Sequence, residues 1–257
     1  MYDLYMSDGK ILIPLLLSLL AGSSTVIGGF LSLYIKKFNK TYLAFSLGLS
    51  AGVMVYISFL ELIPSSIKGI GVLPANIAFF GGMILGMVID FLIPHELIEG
   101  CSNLNKENKM ILTAGVTTAF AIAIHNFPEG IAVFMSSFGN IKLGIPLFLA
   151  IAIHNIPEGM AVAVPIYYST KSRRKSVIYS LLSGMTEPLG AIIGFLLLSP
   201  FLTSSVLSFV LAVVAGIMVY ISFDELLPLC FKSSEGHYSI MGIISGMVIM
   251  AISLYLF

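Results

Sequence analysis

Two ten-residue segments carry the residues best suited to chemistry. AIAIHNFPEG at 121–130 and AIAIHNIPEG at 150–159 are identical at nine of ten positions. In each, His and Glu stand four residues apart, His125 with Glu129 and His154 with Glu158, which places both on one face of a helix. Asn126 and Asn155 lie one step round and offer amide oxygens. Pro128 and Pro157 each remove a backbone donor, which leaves a carbonyl one turn earlier without its usual partner. Gly130 and Gly159 let a neighbouring helix approach closely. Imidazole nitrogen combined with carboxylate oxygen suits Zn²⁺, Fe²⁺, Mn²⁺, Co²⁺ and related ions such as Cd²⁺. With no cysteine beside them, these ligands should hold metal less tightly than a thiolate zinc site does. A single apolar-segment His is more often a hydrogen-bonded core residue, but two of them inside nearly identical polar motifs argue for a ligand role. Glu187, in SGMTEPLG, could add a third carboxylate, enough to bridge two metals, or could be a polar residue at a helix contact. Met54 could offer a soft thioether, although most such methionines only pack.

The elements that position these residues follow from composition. Of the 257 residues, 58% are hydrophobic and 10% are charged, and mean hydropathy is +1.02. Soluble domains carry about 25% charge, so an ordinary soluble enzyme is excluded. Net charge is zero and there is no basic tail, so nucleic acid is not an expected partner. Apolar runs interrupted by polar breaks predict spans at about 11–35, 42–64, 76–98, 110–137, 144–168, 177–198, 206–229 and 239–257. A bilayer-crossing helix needs roughly 20 apolar residues, so one all-α transmembrane domain over 1–257 is expected, with the lipid bilayer around it. The start, MYDLYMSDG, lacks the basic residues of a cleaved signal peptide, and the first span is read as a retained helix. The side holding the N-terminus has Lys10, Lys68 and Lys142, and the opposite side has the other ten of the 13 Lys and Arg residues. The positive-inside rule then places both termini outside the cytoplasmic membrane. Cys101 and Cys230 fall at the cytoplasmic edge and are read as free thiols.

The acidic residues are distributed differently from the basic ones. Glu61, Asp90, Glu129, Glu158, Glu187, Asp224 and Glu225 fall within predicted spans, and no Lys or Arg does so away from a span edge. A carboxylate at the bilayer centre costs about 2.5–3.5 kcal/mol on insertion scales, so these groups must be protonated or neutralised by a bound cation. The set reads as a cation pathway, with Glu61 near an entrance and Asp90, Asp224, Glu225 and His95 toward an exit. Glu61, Asp224 and Glu225 could equally be solvated span ends.

The chain also repeats itself. AGVMVYISFLELIP at 51–64 and AGIMVYISFDELLP at 215–228 agree at 11 of 14 positions. GMILGMVID at 82–90 resembles GIISGMVIM at 242–250, and SLLAG at 18–22 resembles SLLSG at 180–184. Helices 1–3 therefore echo helices 6–8, five helices later and so with opposite direction. This inverted repeat, with the related helices 4 and 5 between its halves, gives a 3 + 2 + 3 arrangement, a plan found in many transporters with the substrate at mid-membrane.

The paired HN-x-PEG motifs, the eight spans and the repeat resemble the ZIP family of divalent-metal transporters over the whole chain. The resemblance implies metal uptake toward the cytoplasm and a binuclear centre between helices 2, 4, 5 and 6, formed from His125, Asn126, Glu129, His154, Asn155, Glu158, Glu187 and Met54. It also implies acidic positions at Asp90 and Glu225 near the inner exit, homodimers, and an elevator-like or rocking movement of the central helices. Many relatives carry a His-rich loop between helices 3 and 4, whereas residues 100–109, GCSNLNKENK, contain no His. The expectation is thus a carrier of Zn²⁺, with Fe²⁺, Mn²⁺, Co²⁺ or Cd²⁺ as further ions and no cofactor. The rival readings are an intramembrane metalloenzyme using the same His/Glu set, although no HExxH occurs, an exporter, and an ion-coupled carrier of an organic substrate.

Overall fold

The computed structural model describes residues 8–34, 40–92, 106–198, 201, 203–233 and 236–256. Among the described residues nearly all are helical, no strand occurs, and eight helical rods are long and apolar enough to cross a membrane. They are α1 (Asp8–Ser32), α2 (40–70), α3 (Val72–Leu92), α4 (Lys106–Gly139), α5 (Ile141–Thr170), α6 (Arg173–Leu198), α7 (204–233) and α8 (Gly236–Leu256). This is the all-α, eight-span fold expected from the sequence. His95 and Cys101 lie outside the described residues.

Several boundaries differ from expectation by about a turn, and two of them involve proline. α2 continues to Ile70 instead of stopping near Pro64. It is α-helical over Lys40–Ile57, widens into one π turn over Ser58–Leu62, and resumes over Ile63–Ile70 with Pro64 in the first turn of the new segment. There the missing N–H of proline costs nothing. α3 begins at Val72, ahead of the expected residue 76, with Pro74 again in a first turn. Gly71 alone joins the two helices, at φ 86°, a left-handed conformation that glycine adopts without steric penalty.

α7 contains the same interruption, a π turn over Ser222–Leu226 followed by Pro228. Single π turns inside α-helices recur at functional sites. The local bonds also match. Ser58 Oγ donates to the Met54 carbonyl at 2.7 Å, and Ser222 Oγ donates to the Met218 carbonyl at 2.8 Å. The repeated segments thus share a backbone irregularity as well as residues.

Packing divides the rods into two groups. α1 lies along α5 and α6, and α4 along α5 and α6, while α2 lies along α8 and α3 along α7. The groups meet chiefly where α2 touches α5 and α4 touches α7. Each of these contacts has a counterpart when α1 is exchanged with α6, α2 with α7, α3 with α8 and α4 with α5. On the outside, α3 exposes Leu73, Ile77, Phe80, Ile84, Val88 and Phe91 along one stripe. Such an apolar face would be a liability in water and is what hydrocarbon requires.

Candidate metal centre

The candidate residues are held by helices that approach backbone to backbone. A Cβ at Gly130 of α4 would run into the carbonyl of Glu187 on α6, and a Cβ at Gly159 of α5 would run into the carbonyl of Thr25 on α1. Gly22 and Gly184 face each other where α1 crosses α6. Small residues at these crossings are what let membrane helices pack this closely. The two PEG motifs therefore dock against α6 and α1 in the same way.

The asparagines tie down the same crossings. Asn126 Nδ2 donates to the Ser183 carbonyl at 3.1 Å, and Asn155 Nδ2 donates to the Ala21 carbonyl at 3.0 Å. Ala21 and Ser183 occupy the same place in SLLAG and SLLSG. Asn155 Nδ2 makes a second bond, 2.8 Å to Glu187 Oε2. Both amide oxygens are thereby turned away from the carbonyls that hold the nitrogens.

Glu129, His154, Glu158 and Glu187 are all fully buried. His154 Nδ1 stands 3.0 Å from the Ala150 carbonyl. A carbonyl only accepts, so Nδ1 carries the hydrogen and Nε2 faces inward. Nε2 lies 3.2 Å from Glu129 Oε1 and 3.8 Å from Glu158 Oε1. The His of one motif thus meets the Glu of the other, as expected for paired helices. The backbone of His125 lies in α4, but its side chain is outside the described residues. Glu129 Oε2, Glu187 Oε1, Asn126 Oδ1 and Asn155 Oδ1 are buried with no hydrogen-bond partner among the described residues. Leaving a buried polar atom unsatisfied costs about 1–3 kcal/mol, and all four are acceptors, so the environment calls for donors or a cation. No group of three or more His, Cys, Asp and Glu that could hold a metal as it stands occurs among the described residues. The nearest approach is His154 with Glu129 and Glu158, where His154 and Glu129 bond to each other.

The other candidates separate from this cluster. Met54 is fully buried on α2, whose neighbour α5 carries His154. Glu61, half-buried on α2, accepts from Ser65 Oγ at 3.0 Å. Asp90, Asp224 and Glu225 come together around a cleft of about 280 Å³ between α3, α4 and α7, with Lys232 at its edge. Thr118 and Ala121 of α4 also line the cleft, and Ala121, His125 and Glu129 continue from it at four-residue spacing. The seven acids of the spans thus fall into a buried set and a set bordering clefts and water.

A family model described as ZIP zinc transporter matches residues 99–254. The chain is 51% identical over 257 residues to the zinc transporter ZupT of Chlorobium luteolum, covering 94% of this chain and 97% of that protein. It is 48% identical over 254 residues to the zinc transporter ZupT of Streptococcus mutans (94% and 96% covered) and 46% over 276 residues to that of Clostridium perfringens (96% and 97% covered). The chain belongs to the ZIP family. Membership agrees with the resemblance read from the HN-x-PEG motifs, and with eight spans it makes the chain a multi-pass membrane protein. ZIP proteins and these relatives are named as transporters, not enzymes, which sets aside the metalloenzyme reading. Within this ZIP chain, Thr25 also stands at the centre's edge, a residue that the motif reading passed over. The signal was present in the sequence. Extending SLLAG and SLLSG by three residues gives SLLAGSST and SLLSGMTE, which sets Thr25 against Glu187.

Proposed function

We propose that this chain is one transmembrane domain that takes up Zn²⁺ across the cytoplasmic membrane, with Fe²⁺, Mn²⁺, Co²⁺ and Cd²⁺ as further candidate ions. His125, Glu129, His154 and Glu158 form the primary site, and Asn126, Asn155 and Glu187 complete or bridge a second. Met54 contributes its thioether from α2. The observation that carries this reading is the meeting of His154 with Glu129 and Glu158 inside a set of fully buried carboxylates. One glutamate from each motif reaches the imidazole, and no Lys or Arg lies within either motif.

The centre works by exchange of partners. With hydrogen on Nδ1, the contact between Nε2 and Glu129 Oε1 requires one shared proton. An arriving divalent ion takes the place of that proton, because imidazole and carboxylate ligands must be deprotonated to bind. The unpartnered oxygens of Glu129, Glu187 and the two asparagines then gain a cation to coordinate. Movement of α1, α4, α5 and α6 against the other four helices, in a homodimer, exposes the centre to either side. Release proceeds along α4 toward the cleft lined by Asp90, Asp224 and Glu225, with His95, which follows Asp90 in the sequence, as a further exit candidate, and Glu61 stands at the entrance. Both termini face outside by the distribution of Lys and Arg.

The test is flux into vesicles that hold the purified full chain and a metal-sensing dye. Saturable Zn²⁺ entry in the wild type, absent in Glu129→Ala and Glu158→Ala, is the expected result. Normal entry in both variants would refute the assignment of the centre.

A further inference from the structure

We propose that Thr25 Oγ1 joins Asn126 Oδ1 as a neutral pair of oxygen ligands for the transported divalent cation, one turn of α6 away from Glu187. The inference rests on the reading of the centre as the metal site and adds to it a residue from α1.

Thr25 and Glu187 occupy corresponding places. The segments SLLAGSST and SLLSGMTE align them, and the tertiary contacts repeat the alignment. Gly159 closes on the carbonyl of Thr25 as Gly130 closes on the carbonyl of Glu187. Asn155 holds the Ala21 carbonyl, four residues before Thr25, as Asn126 holds the Ser183 carbonyl, four residues before Glu187. The backbones are therefore equivalent, and the side chains are what differ. On one side Glu187 accepts from Asn155; on the other, a hydroxyl stands where the carboxylate would be.

That hydroxyl points away from its own helix. Ser24, Ser32 and Thr170 each donate to a carbonyl three or four residues earlier, the usual fate of a helical hydroxyl. Thr25 is fully buried and its Oγ1 has no hydrogen-bond partner among the described residues. Asn126 Oδ1 is in the same condition. Both groups stand at one turn of α6. Asn126 Nδ2 is bonded to Ser183, and a Cβ at Gly184 would lie 3.1 Å from Thr25 Oγ1. Along α4, Asn126 comes after Thr118 and Ala121 of the acidic cleft and before Glu129. On α4, Asn126 thus lies between Glu129 and the cleft. Hydroxyl and amide oxygens are hard, uncharged ligands that suit a divalent ion but hold it less tightly than a carboxylate. A neutral step at this point lets an ion leave the Glu129, Glu158 and Glu187 set without meeting a second deep trap.

The experiment uses the purified full chain, with Zn²⁺ binding at equilibrium and Zn²⁺ flux in vesicles measured for each variant. Thr25→Val keeps the shape and removes the oxygen. It should lower maximal flux about tenfold, the effect of one lost polar ligand, and leave equilibrium binding within about twofold, since the carboxylates dominate binding. Thr25→Ser should restore flux. Thr25→Glu should bind Zn²⁺ about tenfold more tightly or better, with slower flux. Wild-type flux in Thr25→Val overturns the subsite, and so would a hydroxyl that serves only a trapped water. A joint loss of binding and flux in Thr25→Val that serine does not rescue marks a packing role and overturns it as well. If Thr25→Glu fails to fold, the valine and serine pair decides alone. Glu129→Gln separates the two levels of inference. Full flux in that variant removes the centre itself, whereas a dead Glu129→Gln beside a normal Thr25→Val removes the subsite only.

Discussion

The pair α1–α5 and the pair α6–α4 are built alike and equipped differently. Each joins a PEG helix to a partner through a glycine set against a backbone carbonyl, Gly159 on Thr25 and Gly130 on Glu187. Each is fastened by an asparagine bonded to that partner's backbone, at 3.0 and 3.1 Å. Yet the α6 side supplies a buried carboxylate and the α1 side a hydroxyl. Packing needs equal shape at the crossing and is indifferent to what lies one bond beyond Cβ. Repetition can therefore preserve the scaffold while the polar groups it encloses become unequal on its two sides.

The comparison can be broken at several points. The largest effect is expected from Glu129→Ala and Glu158→Ala, one carboxylate from each motif. Both should reduce vesicle uptake to background with the protein still inserted and folded, as read by flux and by circular dichroism; a difference between them would mean that only one motif serves transport. Next come Gly130→Ala and Gly159→Ala. Each added Cβ meets backbone that cannot swing aside, and overpacking of this kind costs about 1–3 kcal/mol. Thermal unfolding in detergent should show similar losses of Tm for the two, and an unequal loss would show that the crossings are not equivalent.

Smaller effects sharpen the inequality. Asn155→Ala removes two bonds, to Ala21 and Glu187, and Asn126→Ala removes one, to Ser183. At about 1 kcal/mol per bond, Asn155→Ala should lower stability about twice as much by the same unfolding assay. Smallest of all, Ser58→Ala and Ser222→Ala each remove one hydroxyl bond inside a π turn. Both should change stability by at most about 1 kcal/mol, equally, because a hydroxyl bonded back onto its own helix adds little to it, and a large cost for either would show that the wide turn depends on the serine and not on the proline that follows.

Much of this was readable in the chain. The eight spans follow from hydropathy because a bilayer leaves helices as the only segment-by-segment way to satisfy the backbone. The pairing of His with Glu follows from four-residue spacing, and the meeting of His154 with Glu129 from the near identity of the two motifs. Span ends were harder. The apolar run puts the end of the second span at residue 64, yet α2 continues past it, with Pro64 in the first turn of the helical segment that follows a π turn. The acids at span edges were also ambiguous. The cleft that gathers Asp90 with Asp224 and Glu225 comes from three helices, and no local pattern brings residue 90 to residue 224.

The sequence by itself determined the membrane setting, the repeat and the residue types of the centre, since these depend on composition, periodicity and local spacing. Only the tertiary structure decided which oxygens remain without partners. Thr25, Asn126 and Glu187 are far apart in the chain, and whether a buried hydroxyl bonds its own helix or faces a neighbour depends on how closely α1, α4, α5 and α6 approach. That distance is set by glycines meeting backbone across helices, a property of the pairs and of no single segment.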